Sequence, residues 1–157
     1  MATNFIKPSH IGVALYEPDI PQNVGSVVRL CACLGAPLHI VEPCGFPWDD
    51  KRLKRVAMDY AAQVRLQRYR AWEEFRATAR RLVLFSTRAE TPYTAFAYRP
   101  GDILLFGRES AGVPEHVHEA AHARVTIPLH PATRSLNVAL AAAMGLGEAL
   151  RQQSGEP

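Results

Sequence analysis

The sequence predicts an α/β domain built on a mostly parallel sheet flanked by helices, with residues 1–157 forming a single domain. Three observations carry this. Short, continuously apolar runs alternate along the chain with segments of helical period, as in βαβ units. Those runs lack the polar/apolar alternation of a sheet with one wet face. A length of 157 residues with 48% hydrophobic and 21% charged residues is enough for one continuous core and too apolar for a disordered chain.

The elements follow in order. His10 to Tyr16 reads as a buried strand. Pro21 opens a helix that runs to Leu34, where Gly35 supplies the stop. Pro37 to Val41 is a second strand. Asp49-Asp50 caps and charges the start of a basic helix running to about Ala62. Val64 to Tyr69 reads as a strand and Ala71 to Arg81 as a helix. Leu82 to Ser86 and Asp102 to Phe106 are apolar strands, separated by a turn-rich stretch with Pro92 and Pro100. A short helix from Pro114 to about His122 precedes a strand from Arg124 to Ile127. A helix from about Ser135 to Gln152 closes the chain. It is apolar around most of its circumference, so a second face must be covered, either within the monomer or by a second copy.

Bulk properties narrow the function. No apolar run approaches the ~18 residues of a membrane span. The start, Met-Ala-Thr-Asn-Phe-Ile-Lys-Pro, lacks the pattern of a signal peptide, so a cytoplasmic protein without membrane attachment is expected. Cys31, Cys33 and Cys44 have neither zinc-site nor redox spacing and read as ordinary thiols. The net charge is only +3, yet residues 51–81 hold ten Lys/Arg against three acids, leaving eight basic and twelve acidic residues elsewhere. Such a basic stretch fits a polyanionic partner, with solvated helix faces as the alternative. The aromatic residues in and beside it (Trp48, Tyr60, Tyr69, Trp72, Phe75) fit either core packing or base stacking.

Neither a Gly-x-Gly-x-x-Gly nor a Gly-Lys-Ser/Thr phosphate loop is present. His118-Glu-Ala-Ala-His122 matches the spacing of a zinc-protease helix. Its helix is short, however, and Val125 and Pro128 stand where the extended pattern needs Gly and a third His, so no metal is expected.

Three polar clusters at strand-to-loop junctions remain. They are Asn23-Val-Gly25 with Arg29, Gly107-Arg108-Glu109 with Gly112-Val113-Pro114, and Ile127-Pro128-Leu129 running on to Ser135-Leu136-Asn137. In open α/β sheets this edge is where ligands bind. Arg29 sits among Val27, Val28 and Leu30 and calls for a partner: an RNA phosphate, or an internal salt bridge, for instance to Glu109. Gly107 and Gly112 are turn glycines or places of close approach to a ligand. Ser135 is a site residue, the helix N-cap, or both.

In this order, and together with Leu15-Tyr16-Glu17-Pro18 and His39-Ile40-Val41-Glu42-Pro43-Cys44-Gly45-Phe46-Pro47-Trp48-Asp49-Asp50, the clusters resemble the SPOUT-class, TrmH-type RNA 2′-O-ribose methyltransferases over nearly the whole chain. The likeness is greatest to the small members acting on the wobble nucleotide of tRNA. The resemblance implies a C-terminal trefoil knot, a homodimer, S-adenosyl-L-methionine as methyl donor, and the anticodon stem-loop of a tRNA as partner. It places the cofactor against Phe85, Thr87, Gly107, Ile127, Ser135 and Leu136. It gives Arg29, Asn23, Glu109, Ser135 and Asn137 the catalytic positions, with Asn23 and Glu109 holding Arg29. Arg29, Lys51, Arg52, Lys54 and Arg55 would meet RNA. Gly107-Arg108-Glu109 stands where this family commonly has Gly-Pro-Glu. A non-catalytic RNA-binding dimer and methylation of another tRNA or rRNA nucleotide are the alternatives.

Overall fold

The computed structural model describes residues 9–78 and 80–154. Residues 1–8, where a leader was sought, lie outside them, as does residue 79 within the predicted third helix. Six parallel strands form one sheet in the order β3-β2-β1-β5-β4-β6. They are β1 (Gly12–Tyr16), β2 (Leu38–Val41), β3 (Leu66–Tyr69), β4 (Leu82–Phe85), β5 (Ile103–Phe106) and β6 (Ala123–Val125). The helices are α1 (Pro21–Leu34), α2 (Asp50–Val56), α3 (Trp72–Ala77), α4 (Glu115–Ala120) and α5 (Val138–Gln153).

Successive strand side chains point to opposite faces, so the apolar runs feed two cores. Val13, Leu15, Ile40, Leu104 and Phe106 pack on one face with α1 and α5. Ala14, Tyr16, Val41, Leu84 and Leu105 pack on the other with Trp72, Phe75 and Val117 of α3 and α4. The aromatic residues Tyr69, Trp72 and Phe75 of the basic stretch are therefore core. β1 leads outward through β2 to β3, whereas β5, beside it, leads through α4 to β6 on the other side. The carboxyl ends of β1 and β5 thus flank a topological switch point, where chain crossovers leave a crevice.

α1 matches its predicted bounds. Pro21 fits the first turn because its missing N–H would have no helical acceptor, and Gly35 closes the helix at φ 68°, donating to the Cys31 carbonyl. The other helices are shorter than predicted. α2 ends at Val56, not Ala62, because Met58 (φ 54°) and Asp59 (φ 67°) turn left-handed before a 3₁₀ turn at Tyr60–Gln63. Val56 is seated on Gly25 of α1, where an added Cβ would lie 2.2 Å from Val56 Cγ1. That packing overrides helix propensity. α3 stops at Ala77, where Thr78 Oγ1 donates to the Phe75 carbonyl at 2.7 Å. α5 begins at Val138, not Ser135. Asn137 is its cap, accepting from the N–H groups of Ala139 (2.9 Å) and Leu140 (3.2 Å). Among the described residues, no helix is long and apolar enough to cross a membrane.

Candidate active site

A cavity of about 440 Å³ opens at the carboxyl ends of β4 and β5. Its wall takes the ends of these two strands, the loop after β6, Ile20 and Asn23 from the start of α1, and Leu136, Asn137, Val138 and Ala141 at the start of α5. All six residues expected to hold the cofactor line it: Phe85, Thr87, Gly107, Ile127, Ser135 and Leu136. Four of the five expected catalytic residues do so too: Asn23, Glu109, Ser135 and Asn137. The size, and the mixture of apolar and polar wall, suit a nucleoside-sized ligand.

Side chains far apart in sequence are joined in this wall. Asn137 Nδ2 donates to Asn23 Oδ1 at 3.1 Å, and Asn23 Nδ2 donates to Glu109 Oε1 at 3.1 Å. The Asp19 N–H donates to Glu109 Oε2 at 3.2 Å, and Ser110 Oγ donates to Asp19 Oδ2. Asn23 is only 8% exposed, so these bonds orient it in place of water. All three sequence clusters therefore meet in one polar chain. Burial, and then its hydrogen bonding with Asp19, raise the pKa of Glu109 above the usual carboxylate range. Hydrogen bonding with Glu109, the bond donated by Ser110 and the charge of Arg108 hold Asp19 below it.

Two glycines shape the cavity by what they lack. A Cβ on Gly107 would lie 2.5 Å from the Gly112 carbonyl carbon, because Arg108 and Gly112 exchange two backbone bonds of 2.9 Å across the loop. Gly112 itself has φ 65°. Gly145 of α5, which no sequence signal singles out, faces the Phe85 ring, and a Cβ there would lie 2.5 Å from it. Phe85 is thereby held flat against Phe106, with ring centroids 4.7 Å apart.

Arg29 stands elsewhere. It is exposed, does not line the cavity, and contacts neither Asn23 nor Glu109. It lies six positions after Asn23, which puts the two side chains about 120° apart around α1. The expectation that Asn23 and Glu109 hold it, and the alternative of a salt bridge to Glu109, are both corrected. Instead Arg29 Nη1 lies 3.0 Å from Met58 Sδ, and its guanidinium sits 5.2 Å from the centre of the Tyr60 ring. The left-handed turn after α2 places both partners.

The basic stretch divides. Arg81 makes a bidentate pair with Asp102 at 2.7 Å for each bond, Arg68 pairs with Glu42 over the Trp48 ring, and Arg65 donates to two backbone carbonyls. Lys51, Arg52 and Arg55 of α2 are exposed without an ion-pair partner among the described residues, and Lys54 has only a loose 3.8 Å pair with Asp59. The zinc-protease spacing does not form a helical face. α4 ends at Ala120, and His122 Nδ1 accepts from the Leu82 N–H at 2.9 Å. Burial pushes the Cys31 thiol up to about 12 and the Cys44 thiol to about 11, so both stay protonated and inert.

The model of the SpoU rRNA Methylase family matches residues 10–147 of the chain. The chain belongs to that family. Among curated proteins, it is 62% identical over 144 residues to a tRNA (cytidine(34)-2′-O)-methyltransferase of Beijerinckia indica, covering 89% of this chain and 90% of the relative. The enzyme of the same name from Escherichia coli strain K12 is 42% identical, covering 90% of this chain and 93% of that one. Among solved structures, one described as giving insight into 2-OH methylation of C/U34 on tRNA superposes with a TM-score of 0.88 at 39% identity, covering 93% of this chain and 97% of that one. An AdoMet-bound rRNA methyltransferase from Sinorhizobium meliloti gives 0.81 at 26% identity, covering 94% of this chain and 58% of that one. Family and fold are those the three clusters implied.

Proposed function

We propose that the chain transfers a methyl group from S-adenosyl-L-methionine to the ribose 2′-hydroxyl of nucleotide 34, a cytidine or uridine, in the anticodon stem-loop of a tRNA. The observation that carries this reading is the joining of Asn23, Glu109 and Asn137 in one cavity wall, in a chain 62% identical to an enzyme named for that reaction. The cofactor supplies an electrophilic methyl group on sulfonium. Phe85, Thr87, Gly107, Ile127, Ser135 and Leu136 hold it, the Gly107–Gly112 loop offering backbone rather than side chain to a nucleoside.

Asn23 and Asn137 fix Glu109 in the wall, which Ser135 also lines. Arg29 binds an RNA phosphate near the reacting ribose. A guanidinium suits that role better than the role of a base, since it keeps its proton in proteins. Lys51, Arg52, Lys54 and Arg55 extend the contact along the stem-loop. The protein works in the cytoplasm as a homodimer, with the C-terminal trefoil knot of its class. The outer stripe of α5 supports the dimer: Leu140 is 57% and Met144 41% exposed, and Gly147 completes a flat apolar row one turn on.

Incubating the purified protein with the cofactor and an unmodified tRNA transcript, then mapping the product, tests this. A single 2′-O-methyl group at nucleotide 34 is expected. Modification at another nucleotide would overturn the substrate, and absence of methyl transfer the reaction. Arg29→Ala should lower the rate at least about 1,000-fold, as expected for loss of a phosphate-orienting contact in the transition state. Its thermal unfolding and its calorimetric affinity for S-adenosylmethionine should stay unchanged.

A further inference from the structure

Methylation of a hydroxyl releases one proton, and something at the site must take it. Arg29 lies outside the cavity and is a guanidinium, so it does not serve. Among the described residues, a carboxylate and an imidazole that can accept a proton line the cavity, Glu109 and His118.

Glu109 has the geometry. Oε1 accepts one bond from Asn23 and Oε2 one from the backbone of Asp19. A carboxylate has about four lone-pair positions, so acceptor capacity remains for a hydroxyl. Asn23 cannot turn away, because Asn137 Nδ2 occupies its carbonyl oxygen and Asn137 is itself fixed as the α5 cap. Behind Glu109 stands a second carboxylate. Asp19 is held in charged form by Ser110 Oγ and by Arg108, whose Nε lies 3.8 Å from Asp19 Oδ2 and whose Nη1 lies 3.8 Å from Glu17 Oε1. Two adjacent carboxyls in unequal surroundings divide the work: one stays ionised, and the other holds a proton more readily.

Building on the proposed reaction, we infer that Glu109 is the proton acceptor for the ribose 2′-hydroxyl, with Asp19 as a positioning residue behind it. A lone pair of the hydroxyl oxygen forms the O–CH₃ bond, and the S–CH₃ electron pair stays on sulfur, leaving a neutral thioether. The O–H bond breaks with its pair left on oxygen, and its proton passes to Glu109, which becomes a neutral carboxylic acid. Only the ionised form of Glu109 accepts, so the rate falls as pH drops through a carboxyl pKa that burial has raised. The charged group in contact with Glu109 is Asp19, behind which stand Arg108 and, through Arg108, Glu17; His118 lines the same cavity.

The test is single-turnover methylation under saturating tRNA and cofactor across acid to neutral pH, with S-adenosylmethionine affinity measured by calorimetry. Glu109→Gln should lower the rate at least about 100-fold near neutrality and abolish the acid limb, with cofactor affinity within a few-fold of the parent protein. Asp19→Asn keeps Glu109 and removes the neighbouring negative charge, so the limb should move to lower pH. His118→Gln should leave the limb where it is. The inference is overturned by a Glu109→Gln variant that keeps the acid limb, by an unmoved limb in Asp19→Asn, or by a limb that vanishes with His118. If the parent protein methylates nothing, it is the reading of the reaction that has failed.

Discussion

The cavity wall and the basic face of α2 differ in how their polar groups are engaged. In and behind the wall, Asn23, Glu109, Asn137, Asp19 and Ser110 bond to one another and have little freedom left. On α2, Lys51, Arg52 and Arg55 are exposed and make no ion pair among the described residues. A wall fixed before the ligand arrives suits chemistry that needs atoms aligned within fractions of an ångström. An exposed, unpaired cationic face suits a phosphate backbone, which asks for charge more than for geometry. The contrast also corrects the charge count, because Arg81, Arg68 and Arg65 lie in the basic stretch by sequence and serve the fold.

Arg81 offers the strongest way to break that division. Its partner Asp102 is 1% exposed and also accepts from the Arg99 N–H at 2.9 Å. Truncation leaves a buried carboxylate with one remaining bond, a change that costs about 3 kcal/mol. Arg81→Ala should therefore lower the melting temperature by about 6–12 °C. The RNA affinity of the protein that stays folded should be unchanged. Were Arg81 part of the RNA face, affinity would fall and the melting temperature would hold.

The wall gives the next largest effect. A methyl group at position 107 would meet the Gly112 backbone, which cannot yield as a flexible side chain would. Overpacking of this kind costs about 1–3 kcal/mol. Gly107→Ala should weaken S-adenosylmethionine binding by roughly 30-fold in calorimetry, equivalent to about 2 kcal/mol, while RNA affinity changes little. Unaltered cofactor binding would mean that the loop is not part of the cofactor site.

How far each region was legible in the sequence follows from the range of the forces involved. α1 could be bounded to the residue because Pro21 and Gly35 act locally. The cavity membership of residues 85, 87, 107, 127, 135 and 136 came through family likeness, and the strand-end rule pointed to the same edge. Long-range packing was not legible. Nothing local says that Val56 seats on Gly25 and ends α2 early, or that Gly145 backs Phe85 from 60 positions away. The pairing of Arg29 with Glu109 failed for a simpler reason: Asn23 and Arg29 share a helix but not a face. Choosing between Ser135 and Asn137 as the α5 cap needed the loop conformation, which two neighbouring cap-forming residues leave open.

The smallest expected effect sharpens the comparison from the α2 side. Replacing Lys51, Arg52, Lys54 and Arg55 together by Gln removes four charges without touching the cavity wall, since none of the four lines it. Exposed cations bind a phosphate backbone largely by releasing condensed counterions, so the loss should be read in the salt dependence more than in any single affinity. The slope of log affinity against log salt should become shallower by about 3 for the four charges, and tRNA binding near physiological salt should fall roughly tenfold. Cofactor affinity and the acid limb set by Glu109 should both persist. A variant with an unchanged slope would place the RNA on another face. One that also lost cofactor binding would show that the face and the wall are a single device, because a purely electrostatic face has no path to the Asn23–Glu109–Asn137 chain.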